Sequence, residues 1–179
     1  MRNCLLLSLL LILLGILRAD AQSHYLKSYQ KKDGLSNNMV TSIIQDKKGF
    51  MWIGTRNGLN RFDGVAFKIF RNNQNDSLSI GNNSILCLAE GENEQLWVGT
   101  HEGIYLYDPE MENFSPFRDI PLKETRFLKA DADHNIWIIN NEILYRYNQE
   151  KKQTEEYKTR IPELQSISVS PGGDVWIAT

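Results

Sequence analysis

The sequence predicts an all-β fold, a partial β-propeller of about three and a half four-stranded blades preceded by a signal-peptide helix. Three observations carry this prediction. Trp52, Trp97, Trp137 and Trp176 recur at intervals of about 40–45 residues, the length of one propeller blade. Their neighbours repeat, as in Met51-Trp52-Ile53-Gly54-Thr55 and Leu96-Trp97-Val98-Gly99-Thr100. Fixed offsets repeat as well: an aliphatic residue stands nine positions before each Trp (Ile43, Leu88, Leu128, Ile167), and a turn residue six before it (Asp46, Gly91, Asp131, Ser170). Ten positions after the first three comes an aromatic: Phe62, Tyr107 or Tyr147.

The N-terminal segment stands apart from this pattern. Arg2 supplies a positive start, Cys4 to Leu17 is an uncharged run rich in Leu, and Ala19-Asp20-Ala21 is a small-residue cleavage site. Residues 1–21 therefore read as a secretory signal peptide cut before Gln22. The rival is an uncleaved anchor, but the run is shorter than the ~20 residues a spanning helix needs. Removing the segment leaves Cys87 without a cysteine partner, so packing rather than a disulfide must hold the exported chain together. A net charge of −2 over 179 residues gives no argument for nucleic acid or for an anionic membrane surface.

Residues 22–179 then read as the N-terminal portion of a propeller, with repeats at about 40–84, 85–124, 125–163 and an incomplete 164–179. Tyr25–Gln30 looks like a lone strand ahead of the first repeat. The first repeat offers strands at Val40–Gln45, Phe50–Gly54, Leu59–Phe62 and Ala66–Phe70. The second offers Ile85–Ala89, Gln95–Gly99, Ile104–Tyr107 and Asn113–Phe117. The third offers Phe127–Ala130, Asn135–Ile139, Ile143–Tyr147 and Thr154–Lys158, and the fourth only Ser166–Val169 and Asp174–Ala178. Short runs of Asp, Asn and Gly separate them, as hairpins require. Two irregularities stand out: the polar linker Arg71–Asn83, and Ile143 where the earlier repeats have Gly58 and Gly103. A β-branched residue resists positive φ, so the third repeat must turn differently. With no closed ring in this segment, sheet edges are expected to remain open.

The run from Asp33-Gly34-Leu35-Ser36-Asn37-Asn38 through Gly49-Phe50-Met51-Trp52-Ile53-Gly54-Thr55-Arg56-Asn57-Gly58-Leu59 closely resembles the two-component regulator propeller repeat. That repeat fills the periplasmic sensor region of hybrid histidine kinases in Bacteroidetes-type bacteria. The departures are Ile139-Asn140 for Gly-Thr, Ile143 for Gly, and Ala178 for Gly. The resemblance implies a non-enzymatic, oligosaccharide-sensing segment exported to the periplasm, whose parent is anchored in the inner membrane. It implies partners in further propeller blades and a downstream kinase, allows a homodimer of the intact sensor, and implies no cofactor. The alternatives are a secreted propeller enzyme of lyase type and a structural or protein-binding propeller.

The residues themselves show no catalytic set and no metal-ligand spacing among His24, His101 and His134. Gly54-Thr55-Arg56-Asn57-Gly58 lacks the Lys and the helix of a phosphate loop and reads as a turn. The tryptophans, flanked by aliphatics, read as inter-blade core rather than as a sugar platform. In a meander the second-to-third turns and the inter-blade linkers share one rim. That rim collects Arg56 and Asn57, His101 and Glu102, Asn140 and Asn141, whose chemistry varies while the frame repeats. They are the candidate ligand residues, their forked and planar groups suited to sugar hydroxyls or acidic sugars.

Overall fold

The computed structural model describes residues 26–158, 163–170 and 174–179, so the expected signal peptide lies outside the described residues. Blade one comprises β1 (Val40–Gln45), β2 (Met51–Thr55), β3 (Gly58–Phe62) and β4 (Phe67–Phe70). Blade two comprises β5 (Ile85–Glu90), β6 (Leu96–Thr100), β7 (Gly103–Asp108) and β8 (Asn113–Pro116). Blade three comprises β9 (Thr125–Ala130), β10 (Asn135–Asn140), β11 (Ile143–Asn148) and β12 (Gln153–Tyr157). A fourth unit is the hairpin β13 (Ser166–Val169) and β14 (Val175–Ala178). Each sheet is an antiparallel meander in chain order. The strands fall within a residue or two of their sequence-based positions. Tyr25–Gln30 does not: residues 26–30 form no strand, because no neighbouring strand offers them a ladder among the described residues. Tyr29 instead packs its ring on Phe62 and Phe67, with centroids 4.9 and 5.6 Å away.

The repeated offsets acquire a physical meaning here. Trp52 packs in one cluster with Leu88 and Tyr107 of blade two. Trp97 does the same with Leu128 and Tyr147 of blade three, and Trp137 with Ile167 of the fourth unit. Each tryptophan thus faces the next blade, while the aliphatic nine positions before it faces the previous one. The two members of the series with no such neighbour are exposed, Ile43 at 55 % and Trp176 at 69 %. Trp52, Trp97 and Trp137 are inter-blade core.

Turn chemistry follows the sequence closely. Gly58 and Gly103 sit at φ 122° and 111°, and Thr55 and Thr100 each close the turn by donating their hydroxyl to the glycine carbonyl at 2.9 Å. A Cβ on Gly58 would also stand 2.9 Å from the Phe70 carbonyl oxygen. Where Ile143 replaces the glycine, positive φ moves to Asn141 (46°) and Glu142 (66°), so the turn keeps two residues but changes type. The Asp33–Asn38 motif is a clamp on blade one. Gly34 takes φ 107°, Leu35 is buried, and Ser36 exchanges hydrogen bonds with buried Asn60 and Thr55 at 2.8 Å. The polar linker 71–83 is likewise structured: Ile80 is fully buried, and Asn72 Nδ2 donates to the carbonyls of Ile80 and Gly81 at 3.0 Å.

Cys87 lies in the seam between blades two and three, its thiol donating to the Thr125 carbonyl at 3.3 Å. Burial pushes the thiol's pKa far up. Since only the thiolate reacts, Ellman's reagent is expected to leave Cys87 unmodified in buffer and to titrate it fully in denaturant. Stoichiometric reaction of the folded chain would show that the seam opens.

Candidate functional site on the turn rim

The first strand of every four-stranded blade carries the same irregularity. The register slips between Val40 and Ser42, between Ile85 and Cys87, and opposite Asn140, leaving Thr41, Leu86 and Arg126 unpaired. Such bulges re-aim a side chain. Thr41 uses its bulge to donate to the Ile85 carbonyl of the next blade at 2.8 Å. Arg126 uses its own to reach the rim, where its guanidinium meets Glu124 at 3.0 Å.

Around that pair the rim assembles a chain of polar groups across three blades. Arg56 Nη1 lies 3.1 Å from His101 Nε2, and His101 Nδ1 lies 3.3 Å from Glu124 Oε1. Arginine can only donate, so Nε2 accepts and Nδ1–H faces the carboxylate; this network assigns the tautomer. The Arg126 hydrogen bond holds the Glu124 carboxyl below its ordinary range against the opposing effect of burial, with the charges of Arg126 and Arg56 adding to it. Glu124 stiffens the rim further by accepting the Asn141 N–H on its backbone carbonyl at 2.8 Å.

The six sequence candidates divide sharply. Arg56, His101 and Asn141 come together at this chain and are exposed. Glu102 is exposed beside them, its N–H donating to Thr100 Oγ1. Asn57 is half-buried, and its backbone closes the turn by donating to Thr55 Oγ1 and accepting from Arg71 Nε. Asn140 is 1 % exposed and donates to the Lys123 carbonyl and to Thr125 Oγ1, both at 2.9 Å. It takes the structural place of Thr55 and Thr100 and offers no group to a ligand. Glu124 and Arg126 were missed, since a linker carboxylate and a bulged strand residue carry no local signal. The only hint in the sequence is their spacing, two residues apart with opposite charge.

Chemically the rim offers guanidinium and imidazole groups beside the carboxylates of Glu102 and Glu124, a set that binds oxygen-rich groups. Among the described residues no group of three or more His, Cys, Asp and Glu side chains is placed to hold a metal ion. No helix among them is long and apolar enough to cross a membrane.

Comparisons with known proteins fit this frame. A family model described as "Two component regulator propeller" matches residues 34–57 and 79–102. Over 64 residues the chain is 53 % identical to Histidine kinase P4 of Formosa agariphila, a match spanning 36 % of this chain and 5 % of that protein. The extracellular domain of a putative one component system from B. thetaiotaomicron superposes with TM-score 0.70 at 21 % identity, over 88 % of this chain and 25 % of that one. A virginiamycin B lyase from Staphylococcus aureus superposes with TM-score 0.61 at 16 % identity, over 77 % of this chain and 48 % of that one. The matches therefore span 5 %, 25 % and 48 % of the lengths of these three proteins. The two structural likenesses show the propeller fold alone, which hosts both sensors and enzymes. The family matches begin at Gly34 and Ser79, so each covers a clamp or linker end, a first strand, and the tryptophan strand with its turn. The family's repeat is thus matched over the first half of blade one and the first half of blade two.

Proposed function

We propose that this chain is a portion of the ligand-sensing propeller of a periplasmic two-component regulator, with residues 22–179 forming its first blades. It reads an oligosaccharide or similar small polar ligand and relays the signal to a downstream kinase. The observation that carries this reading is the chain Arg56–His101–Glu124–Arg126, which joins groups from three blades on one rim. A ligand engaging those groups senses how the blades sit against one another, which is the quantity a sensor must transmit. The varied rim on a repeating frame supports recognition over catalysis.

Calorimetric titration of neutral and acidic oligosaccharides tests it, comparing the chain with a triple Arg56→Ala, His101→Ala, Arg126→Ala variant. The expected result is at least one ligand whose affinity falls about tenfold or more in the variant, with the thermal midpoint little changed. Undiminished affinity in the folded variant would remove this rim from consideration.

A further inference from the structure

On the opposite rim, the tryptophans of blades one and three are each held by two charged residues of their own blade. Trp52 Nε1 donates to Asp46 Oδ2 at 2.7 Å, and Arg61 lies over the ring at 5.8 Å. Trp137 Nε1 donates to Asp131 Oδ2 at 2.7 Å, and Arg146 lies over that ring at 5.8 Å. Blade two departs at both positions: Gly91 replaces the aspartate and Leu106 the arginine. Trp97 is 2 % exposed, yet its Nε1–H has no hydrogen-bond partner.

A third exchange follows the same logic. In the first seam Arg61 is bonded to Tyr107 at 3.0 Å and to Glu112 at 2.9 Å. In the second seam Tyr147 takes the place of Tyr107. Lys152 takes that of Glu112, at the same left-handed turn position (φ 54° against 51°). An aspartate and an arginine have thus been removed, and a glutamate has become a lysine. What remains is a cleft of about 350 Å³ between blades two and three, floored by Trp97, Leu106 and Tyr147 and edged by Gln149, His134 and Lys152. The equivalent cleft of the first seam, which holds Arg61, is about 200 Å³.

The Gln149 side chain enters the space beside Gly91, its Oε1 standing where a Cβ on that residue would clash, yet it gives the Trp97 Nε1–H no hydrogen bond. The Gln149 amide is committed to backbone: Oε1 accepts the Glu92 N–H at 2.9 Å and Nε2 donates to the His134 carbonyl at 3.3 Å. Glu92 is held by His134 Nδ1 at 2.8 Å. Glu150 is exposed at the mouth. Lys152 makes no ion pair among the described residues. The cleft has room for more than a single water, whose share of liquid volume is about 30 Å³.

We propose that this cleft binds a small carboxylate-bearing molecule. Its carboxylate enters from the cleft beside Gln149 and accepts from Trp97 Nε1–H, as Asp46 and Asp131 do in the sister blades, with the Lys152 ammonium beside it. Its body lies on Leu106 and Tyr147 where the sister blades lay an arginine. The site is independent of the sensing rim and stands or falls without it.

The test is a titration of the ¹⁵N-labelled full chain, followed at the Trp97 indole N–H, which is identified by its loss in Trp97→Phe or, should that variant not fold, by its NOE to Leu106. The probes are cyclohexanecarboxylate and glucuronate at millimolar concentration, with cyclohexanecarboxamide and glucose as neutral counterparts. A saturable downfield shift is expected with at least one acid and with neither neutral compound, and which acid binds tells whether the body is apolar or hydroxylated. Lys152→Glu, at an exposed turn, should weaken binding about tenfold or more, and Leu106→Glu, which sets a like charge on the floor of the cleft, should abolish it. No saturable shift with either acid, equal shifts with the neutral compounds, or indifference to both substitutions would overturn the proposal.

Discussion

Trp52→Ala is expected to lower the stability of the chain by about 3–5 kcal/mol, the usual cost of deleting a large buried aromatic. Trp52 is 2 % exposed and packs against Phe70 at 5.8 Å and Tyr107 at 4.8 Å, so its loss opens the seam between blades one and two. The same deletion strands Asp46, whose Oδ2 then loses its indole donor. The internal control is Trp176→Ala, at the same repeat position but 69 % exposed, which should change stability by no more than about 0.5 kcal/mol. Urea unfolding of the two variants, followed by far-UV circular dichroism, separates them. Equal effects would mean that the seams do not carry the fold and that each sheet stands alone.

That contrast between equivalent residues also explains what the sequence could show. The period, the strands and the tryptophan environment were legible because each is a local pattern repeated several times, and repetition cancels local noise. Ile143 was legible for a different reason: a β-branched side chain excludes positive φ, and the structure moves that φ to Asn141 and Glu142. The candidate rim was only half legible. Alternation of turns along a meander places Arg56, His101 and Asn141 on one edge, yet it is blind to depth, so Asn140 was grouped with them although it is buried with its amide bonded to Lys123 and Thr125. Glu124 completes the cluster from a linker, and Arg126 from a bulge. Neither position can be located without the pairing register, a long-range property. Tyr25–Gln30 has the composition of a strand, but a strand exists only where another offers its hydrogen bonds.

Asp131→Ala is expected to cost about 2–4 kcal/mol, far more than a surface turn residue would. The sequence marks Asp131 only as a turn former, and its Oδ1 does accept the N–H groups of Asp133 and Asn135 at 2.9 and 3.0 Å. Its Oδ2 reaches further, to Trp137 Nε1 at 2.7 Å and to Asn135 Nδ2 at 3.0 Å. Trp137 and Asn135 are 5 % and 6 % exposed, so truncation strands buried donors, each worth about 1–3 kcal/mol. The pH dependence follows from the same contacts. Burial pushes this carboxyl up, but the hydrogen bonds from Asn135, Trp137 and Asp133 outweigh it and leave the folded pKa below the ordinary value. A depressed carboxylate contributes fully above its unfolded pKa, about 3.9, and its contribution disappears as pH falls from there through the folded value. The wild-type chain should therefore lose this part of its stability on acidification, and Asp131→Ala should show a shallower acid limb from a lower plateau. Urea midpoints measured from neutral pH down into the acid range decide it. A variant within about 0.5 kcal/mol of wild type, with an unchanged acid limb, would reduce Asp131 to the turn residue that its sequence suggests.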